Sequence, residues 1–230
     1  MSTRQEFIAL GALLAAAFPM LADAAAPAAA GAAAAPKLDF ALDAFDTSLA
    51  GAGVKHKHLF ASKAVDDGGV FGAMQTVMRA YASIGTAAND VLPVAVLYHY
   101  AAVLGFGDAS WNEIITPALA KMPKKHVDGF GVTLKPGGGN PSMKIDKSAG
   151  DFDSSIEGVL ALASSARFYV CNNALVGMSA AMAKMLGRTH ASVYDALAHD
   201  LIPNGMLVPA GVWAVHAIQE HGFTLLQTSL

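Results

Sequence analysis

Cys171 is the single cysteine of this 230-residue chain, and the residues around it suggest thiol chemistry. The apolar run Ala166-Arg167-Phe168-Tyr169-Val170 leads into it, and a helical pattern begins near Ala174. A thiol at a strand end facing a helix N-terminus meets unpaired N–H groups, whose partial positive charge favours the thiolate. His99 follows a second apolar run, Val91 to Leu97, and an imidazole near a thiol can draw off its proton. Open parallel sheets bind ligands beyond the carboxyl ends of their strands. Those ends offer Ser62, Tyr100, Asn172, Asn173, Pro209 and Gly211 as ligand-binding candidates beside the catalytic pair Cys171 and His99. Helices starting after Asn173 and Gly211 would present free N–H groups to an anion such as thiosulfate or sulfite.

Each candidate also has a purely structural reading. Free cysteine is among the most buried residue types, so Cys171 reads equally as a small core hydrophobe. His99 reads as a satisfied rim histidine, Asn172 as a helix cap and Gly211 as a close-packing residue. His56 and His58 share one side of a strand, and His216 and His221 flank the end of the last helix, but no third ligand lies at a diagnostic interval. No metal and no cofactor is expected. No Gly-x-Ser-x-Gly elbow is present, and neither a hydrolase triad nor paired catalytic carboxylates can be assigned.

The elements that must position these residues follow from periodicity. Apolar strand patterns alternate with amphipathic helical ones, which predicts an α/β fold: one domain with a mostly parallel sheet covered on both faces. Strands are expected at His58 to Ser62, Val91 to Leu97, Phe168 to Cys171, Met206 to Val208 and Phe223 to Leu226. Phe71, Met74, Met78 and Tyr81 share one helical face, as do Leu175, Met178, Met182 and Met185, and both faces read as core. Ile156 to Ser164 and Ser192 to Leu201 also read as helices. Ser110-Trp111-Asn112-Glu113 has capping-box spacing before a helix to about Met122. Val212, Val215 and Ile218 mark a last helix, with Gly222 at its C-terminal end. Residues 123–153, rich in Lys, Gly and Pro, read as a flexible surface insertion; its glycine run lacks the Gly-Lys-Ser/Thr of a phosphate loop.

The N-terminus has a different character. Phe7 to Leu21 is apolar, and Ala22-Asp23-Ala24 fits signal-peptidase cleavage, so residues 1–24 read as an export signal and the mature chain starts near Ala25. The stretch is too short for a spanning helix and no later segment qualifies, so no stable membrane span is expected. Thr3-Arg4-Gln5-Glu6-Phe7-Ile8 resembles a twin-arginine motif with one arginine replaced, leaving general secretion and the twin-arginine route both open. The expected location is periplasmic or secreted. Residues 25–36 are almost wholly Ala, Pro and Gly and read as a disordered tether before a domain spanning 37–230. A formal charge of −3 without a basic stripe argues against nucleic acid as a partner.

Phe168-Tyr169-Val170-Cys171-Asn172-Asn173-Ala174-Leu175, Val208-Pro209-Ala210-Gly211-Val212 and Ile218-Gln219-Glu220-His221-Gly222-Phe223 together resemble the DsrE/DsrF-like sulfur-relay superfamily. The resemblance runs from about Lys57 to Gln227, outside the insertion. It implies a five-stranded, largely parallel sheet, assembly as trimers or hexamers, a strand-end histidine at His99 and a persulfide-carrying cysteine at Cys171. Two features depart from the cytosolic sulfur carriers: the export signal and the lack of a second, resolving cysteine. The expectation is an exported DsrE-like protein that binds small sulfur species or performs thiol or persulfide chemistry through Cys171. The alternative is a non-catalytic oligomeric binding module that uses the strand-end pocket or the insertion. Whether there is enzymatic turnover is left open.

Overall fold

A computed structural model describes residues 36, 38–51, 53–122, 131–134, 138–150 and 153–228. The expected export signal and almost all of the tether lie outside these residues. Five parallel strands form one sheet in the order β4-β3-β2-β1-β5: β1 His56–Ser62, β2 Val91–Leu97, β3 Arg167–Cys171, β4 Gly205–Val208 and β5 Thr224–Gln227. Helix α1 (Leu42–Leu49) precedes β1 and α2 (Gly69–Ser83) follows it. After β2 comes the 3-10 segment His99–Gly105. A mixed helix α3 then runs through Asp108–Ser110, a π-helical Trp111–Ile115 and Thr116–Leu119. Helix α4 (Ile156–Leu162) leads to β3; α5 (Asn172–Leu186) and α6 (His190–His199) lead to β4, and α7 (Gly211–Glu220) to β5.

β2 is the central strand and all seven of its residues are buried, which is why its sequence is continuously apolar. Pro93 precedes the first β2–β3 pair, Val94 with Arg167, so a donor missing on that side interrupts no ladder bond. Strand alternation divides the core in two. Leu59, Leu92, Val94, Val96, Tyr169 and Val208 face Phe45 and Leu49 of α1 and Ala214 and Ile218 of α7. On the other face Phe168 meets Phe71 of α2 edge-on at 5.8 Å, and Met78 packs with Val91 and Ala163. Among the described residues no helix is long and apolar enough to cross a membrane.

Three local expectations change. The capping box does not form: Ser110 already has helical backbone angles, Gly107 occupies the cap, and the Ser110 N–H is satisfied at 2.6 Å by the Asp200 carboxylate from a distant loop. The last helix buries Ile218 and packs Val215 against the same core, as expected, but leaves Val212 58% exposed, with Gly211 and Ala214 buried in the first turn where the helix is seated on the sheet. The insertion is not simply a free surface loop where it is described. Asn140, 5% exposed, donates to the Leu104 and Phe106 carbonyls at 2.9 and 2.8 Å, while its Oδ1 accepts from the Ser142 N–H. Gly138 and Gly139 have φ of +79° and +78°, and a Cβ on either would collide with the Asn112 amide oxygen or the Asp108 carboxylate oxygen, which hold this turn by accepting from the Gly139 and Asn140 N–H groups. Their glycine content therefore serves a tight, pinned approach. Residues 123–130, 135–137, 151 and 152 of the insertion lie outside the described residues.

Candidate functional site

The register aligns the carboxyl ends of the strands. Ser62 pairs with Leu97, Leu97 with Val170, and Cys171 with Val208. One step beyond Leu97 lies Tyr98, beside Cys171. Both side chains continue the face that carries Val96 and Tyr169, beneath α7.

Cys171 is the last residue of β3 and the N-cap of α5. Its sulfur accepts the Ala174 N–H at 3.4 Å, so the expected meeting of thiol and helix N-terminus is present, and the residue is only 6% exposed. Gly211 brings the start of α7 to the same place. A Cβ built on it would lie 2.3 Å from Tyr98 Cβ and 3.4 Å from Cys171 Cβ, so only a residue without a side chain fits there. Two helix beginnings, those of α5 and α7, thus adjoin the thiol-bearing strand end.

His99 takes a left-handed backbone conformation, φ +49°, where β2 gives way to the 3-10 segment. Asp66 and Asp67, in the loop after β1, do the same at +43° and +42°. Uncommon backbone of this kind gathers where a site holds side chains in set directions. The His99 ring lies 5.1 Å from that of Tyr98. Burial, and then the nearby Lys63 ammonium, hold its pKa below the ordinary imidazole value, which favours the neutral ring. Among the described residues no hydrogen bond joins His99 to Cys171.

The other expected ligands disperse. Ser62 lies on the opposite face of the sheet from Leu59, by alternation, and its hydroxyl donates to the Ala64 carbonyl at 2.8 Å. Tyr100 is half-buried in the 3-10 segment, and burial raises its phenol pKa. The Asn172 side chain accepts from the Tyr194 hydroxyl at 2.7 Å and ties α5 to α6, while Asn173 is exposed on the first turn of α5. Tyr98 was not singled out by sequence. Its signal was available: it extends the Leu92, Val94, Val96 alternation to the residue before His99.

Of the four histidines weighed as metal ligands, His216 is exposed and the other three are engaged elsewhere. His58 bonds the Tyr81 and Thr224 hydroxyls at 2.9 and 3.2 Å, His56 packs on the Tyr81 ring at 4.5 Å, and His221 pairs with Asp46 at 3.2 Å. Among the described residues no group of three or more His, Cys, Asp or Glu is placed to hold a metal ion.

Two cavities lie away from the thiol. One, of about 290 Å³, is bounded by Asp67, Thr133, Ser142, Asp146, Asp153 and Ser154; the other, of about 360 Å³, runs between Leu38–Ala41 and β4. In the first, burial of Asp153 would raise its pKa. Hydrogen bonds from the Ser155 hydroxyl, the Asp146 N–H and Gln75 Nε2 outweigh that and hold the carboxyl below its usual range.

No family model, curated protein or solved structure matches this chain.

Proposed function

We propose that this chain is a DsrE-like protein, exported through residues 1–24, that carries sulfane sulfur as a persulfide on Cys171. The observation that carries the reading is the 3.4 Å contact of the Ala174 N–H with the Cys171 sulfur at the end of a central-sheet strand. A helix-terminal N–H supports negative charge on the sulfur and on a persulfide formed there. The Cys171 thiolate attacks the outer sulfur of a small persulfide, R–S–SH. The new S–S bond forms as the donor's S–S bond breaks, and the donor leaves as RSH with the proton that Cys171 gave up. Thiosulfate serves equally, with sulfite as the leaving group. No external oxidant or reductant enters either exchange. Neutral His99 is the base at the strand ends, and since no hydrogen bond links it to the sulfur, it exchanges the proton through solvent. A later nucleophile removes the sulfur and restores the thiolate; with one cysteine, no internal disulfide competes.

Intact-mass measurement after incubation with glutathione persulfide tests this reading. The mature protein should gain the mass of one sulfur atom, and Cys171→Ser should gain none. An unmodified wild-type mass after exhaustive incubation contradicts it.

A second reading, a non-catalytic homo-oligomeric binding module, is favoured by the 6% exposure of Cys171. It is also favoured by the exposed Val212 and Trp213 of α7 and Leu225 and Leu226 of β5. A thiol that alkylates only after unfolding would select it.

A further inference from the structure

The cavity of about 290 Å³ between the loop after β1 and the insertion has a chemistry that the thiol site does not use. Asp67, Asp146 and Asp153 bring three carboxylates to it, and no Lys, Arg or His of the described residues lines it. Asp153 is 4% exposed. Its Oδ2 accepts from Gln75 Nε2 at 3.0 Å and from the Ser155 hydroxyl at 2.6 Å, and its Oδ1 accepts from the Asp146 N–H at 2.8 Å. Burial opposes ionisation, and these bonds outweigh it, but every one of the donors is neutral. Asp67 is likewise met by neutral groups, the Thr133 N–H at 2.6 Å and the Thr133 hydroxyl at 3.1 Å. Among the described residues no cation pairs with either carboxylate. Buried ionised carboxylates are ordinarily paired, and Asp153 Oδ1 keeps a lone pair for a further donor.

Ser142 adds an observation that is independent of charge. The residue is 3% exposed; its N–H donates to Asn140 Oδ1 and its carbonyl accepts from the Ile156 N–H. Its hydroxyl has no hydrogen-bond partner among the described residues, whereas every fully enclosed side-chain nitrogen and oxygen there has one. The Ser142 hydroxyl is therefore not enclosed, and the surface it keeps is the cavity it lines. It sits 2.5 Å from the position a Cβ on Gly68 would take, at the start of α2. A buried hydroxyl without a partner, opening on a cavity, is set to bond what enters it.

We propose that this cavity binds an aliphatic ammonium compound, a short diamine being the simplest, whose N–H groups donate to the Asp67 and Asp153 carboxylates and to the Ser142 hydroxyl. Among the described residues no three carboxylates are placed to hold a metal ion, so the negative charge calls for a cation that carries its own donors in several directions. Three carboxylates repel an anion, and a neutral polyol would leave their charge uncompensated. Pro141 and Ala149 supply apolar wall for the methylenes between ammonium groups. The loop after β1 lies at the carboxyl end of a parallel strand, where open sheets of this kind take ligands. The site shares no residue with Cys171 and His99, so it stands or falls apart from the persulfide reading.

The test is calorimetric titration of the full-length protein at neutral pH with 1,4-diaminobutane, with 1,4-butanediol as its uncharged counterpart, and with calcium chloride. The diamine should bind at one per chain, and the diol and calcium should give no heat beyond dilution. Asp67→Asn, which keeps an oxygen for the Thr133 N–H, should weaken diamine binding about tenfold, and Ser142→Ala about fivefold, the scale of hydrogen bonds to a charged group. Because the Ser142 hydroxyl supports no other described residue, Ser142→Ala should keep the wild-type thermal midpoint, which separates lost binding from lost folding. If Asp67→Asn does not fold, Ser142→Ala carries the test. No diamine heat at millimolar concentration overturns the proposal, as do a diol that binds as tightly, calcium that displaces the diamine, or a diamine affinity unchanged in the folded variants. Cys171→Ser should bind the diamine as wild type does, so failure of persulfide formation with diamine binding intact rejects the proposed function alone.

Discussion

At the scale of single residues the site depends on what the backbone forces together. Gly211 has no alternative, because a methyl group there meets Tyr98 Cβ at 2.3 Å. Gly211→Ala should destabilise the fold by about 1–3 kcal/mol through overpacking, read as a lowered thermal midpoint. His99, held neutral by burial and then by Lys63, should titrate below the roughly 6.5 of a free imidazole in an NMR pH series. Since its folded value is depressed, its neutral form supports the fold above the ordinary value, and that support is lost as pH falls. Asp153 gives a second pH handle of the same sign. Its carboxyl is held below the usual range, so its contribution is complete above about pH 4 and disappears as pH falls through the folded value. Asp153→Ala should therefore cost about 2 kcal/mol at neutral pH, the scale of hydrogen bonds to a charged group, with the gap to wild type narrowing in acid. Urea unfolding at pH 7 and pH 3 measures both arms.

At the scale of elements, burial on both faces leaves an unbroken apolar record in the central strand, and burial of one face leaves a helical periodicity in the two methionine-bearing helices. β2 and α5 are the clearest cases. What the sequence did not disclose depends on partners distant in the chain. Asp200 takes the N–H that a capping box would have used at Ser110, and no local spacing announces a carboxylate 90 residues away. On α7, Ile218 and Val215 face the core as their spacing predicts, and only Val212 does not, because its neighbour Gly211 is the residue that meets Tyr98. Of the candidate site, Cys171, the helix start behind it and Gly211 were legible as strand-end residues. Ser62 and Asn172 lie at strand ends as read, but the Ser62 hydroxyl bonds the Ala64 carbonyl and the Asn172 amide bonds Tyr194, partners that no local spacing announces. The insertion's glycine run was read as flexible, whereas Asn140 pins its end under the 3-10 segment. Asn140→Ala strands two carbonyls and should lower stability by about 2 kcal/mol, whereas a surface-loop asparagine would change it little. Thermal unfolding of that variant decides between the two.

At the scale of the whole molecule, β5 ends the sheet without a charge, a proline or a bulge, and all four of its residues are exposed. With Val212 and Trp213 also exposed on α7, the surface suits the homo-oligomer expected from the resemblance. Light scattering of the mature protein at micromolar concentration should give a trimer or a multiple of it, and a monomer at every concentration would reject assembly. The central claim, that Cys171 both takes up and gives up sulfane sulfur, is tested most directly by release. The protein is loaded with glutathione persulfide, freed of excess donor and treated with cyanide, and thiocyanate is counted against chains. Wild type should yield close to one thiocyanate per chain and Cys171→Ser none; equal yields from the two proteins, or none from either, would contradict the account.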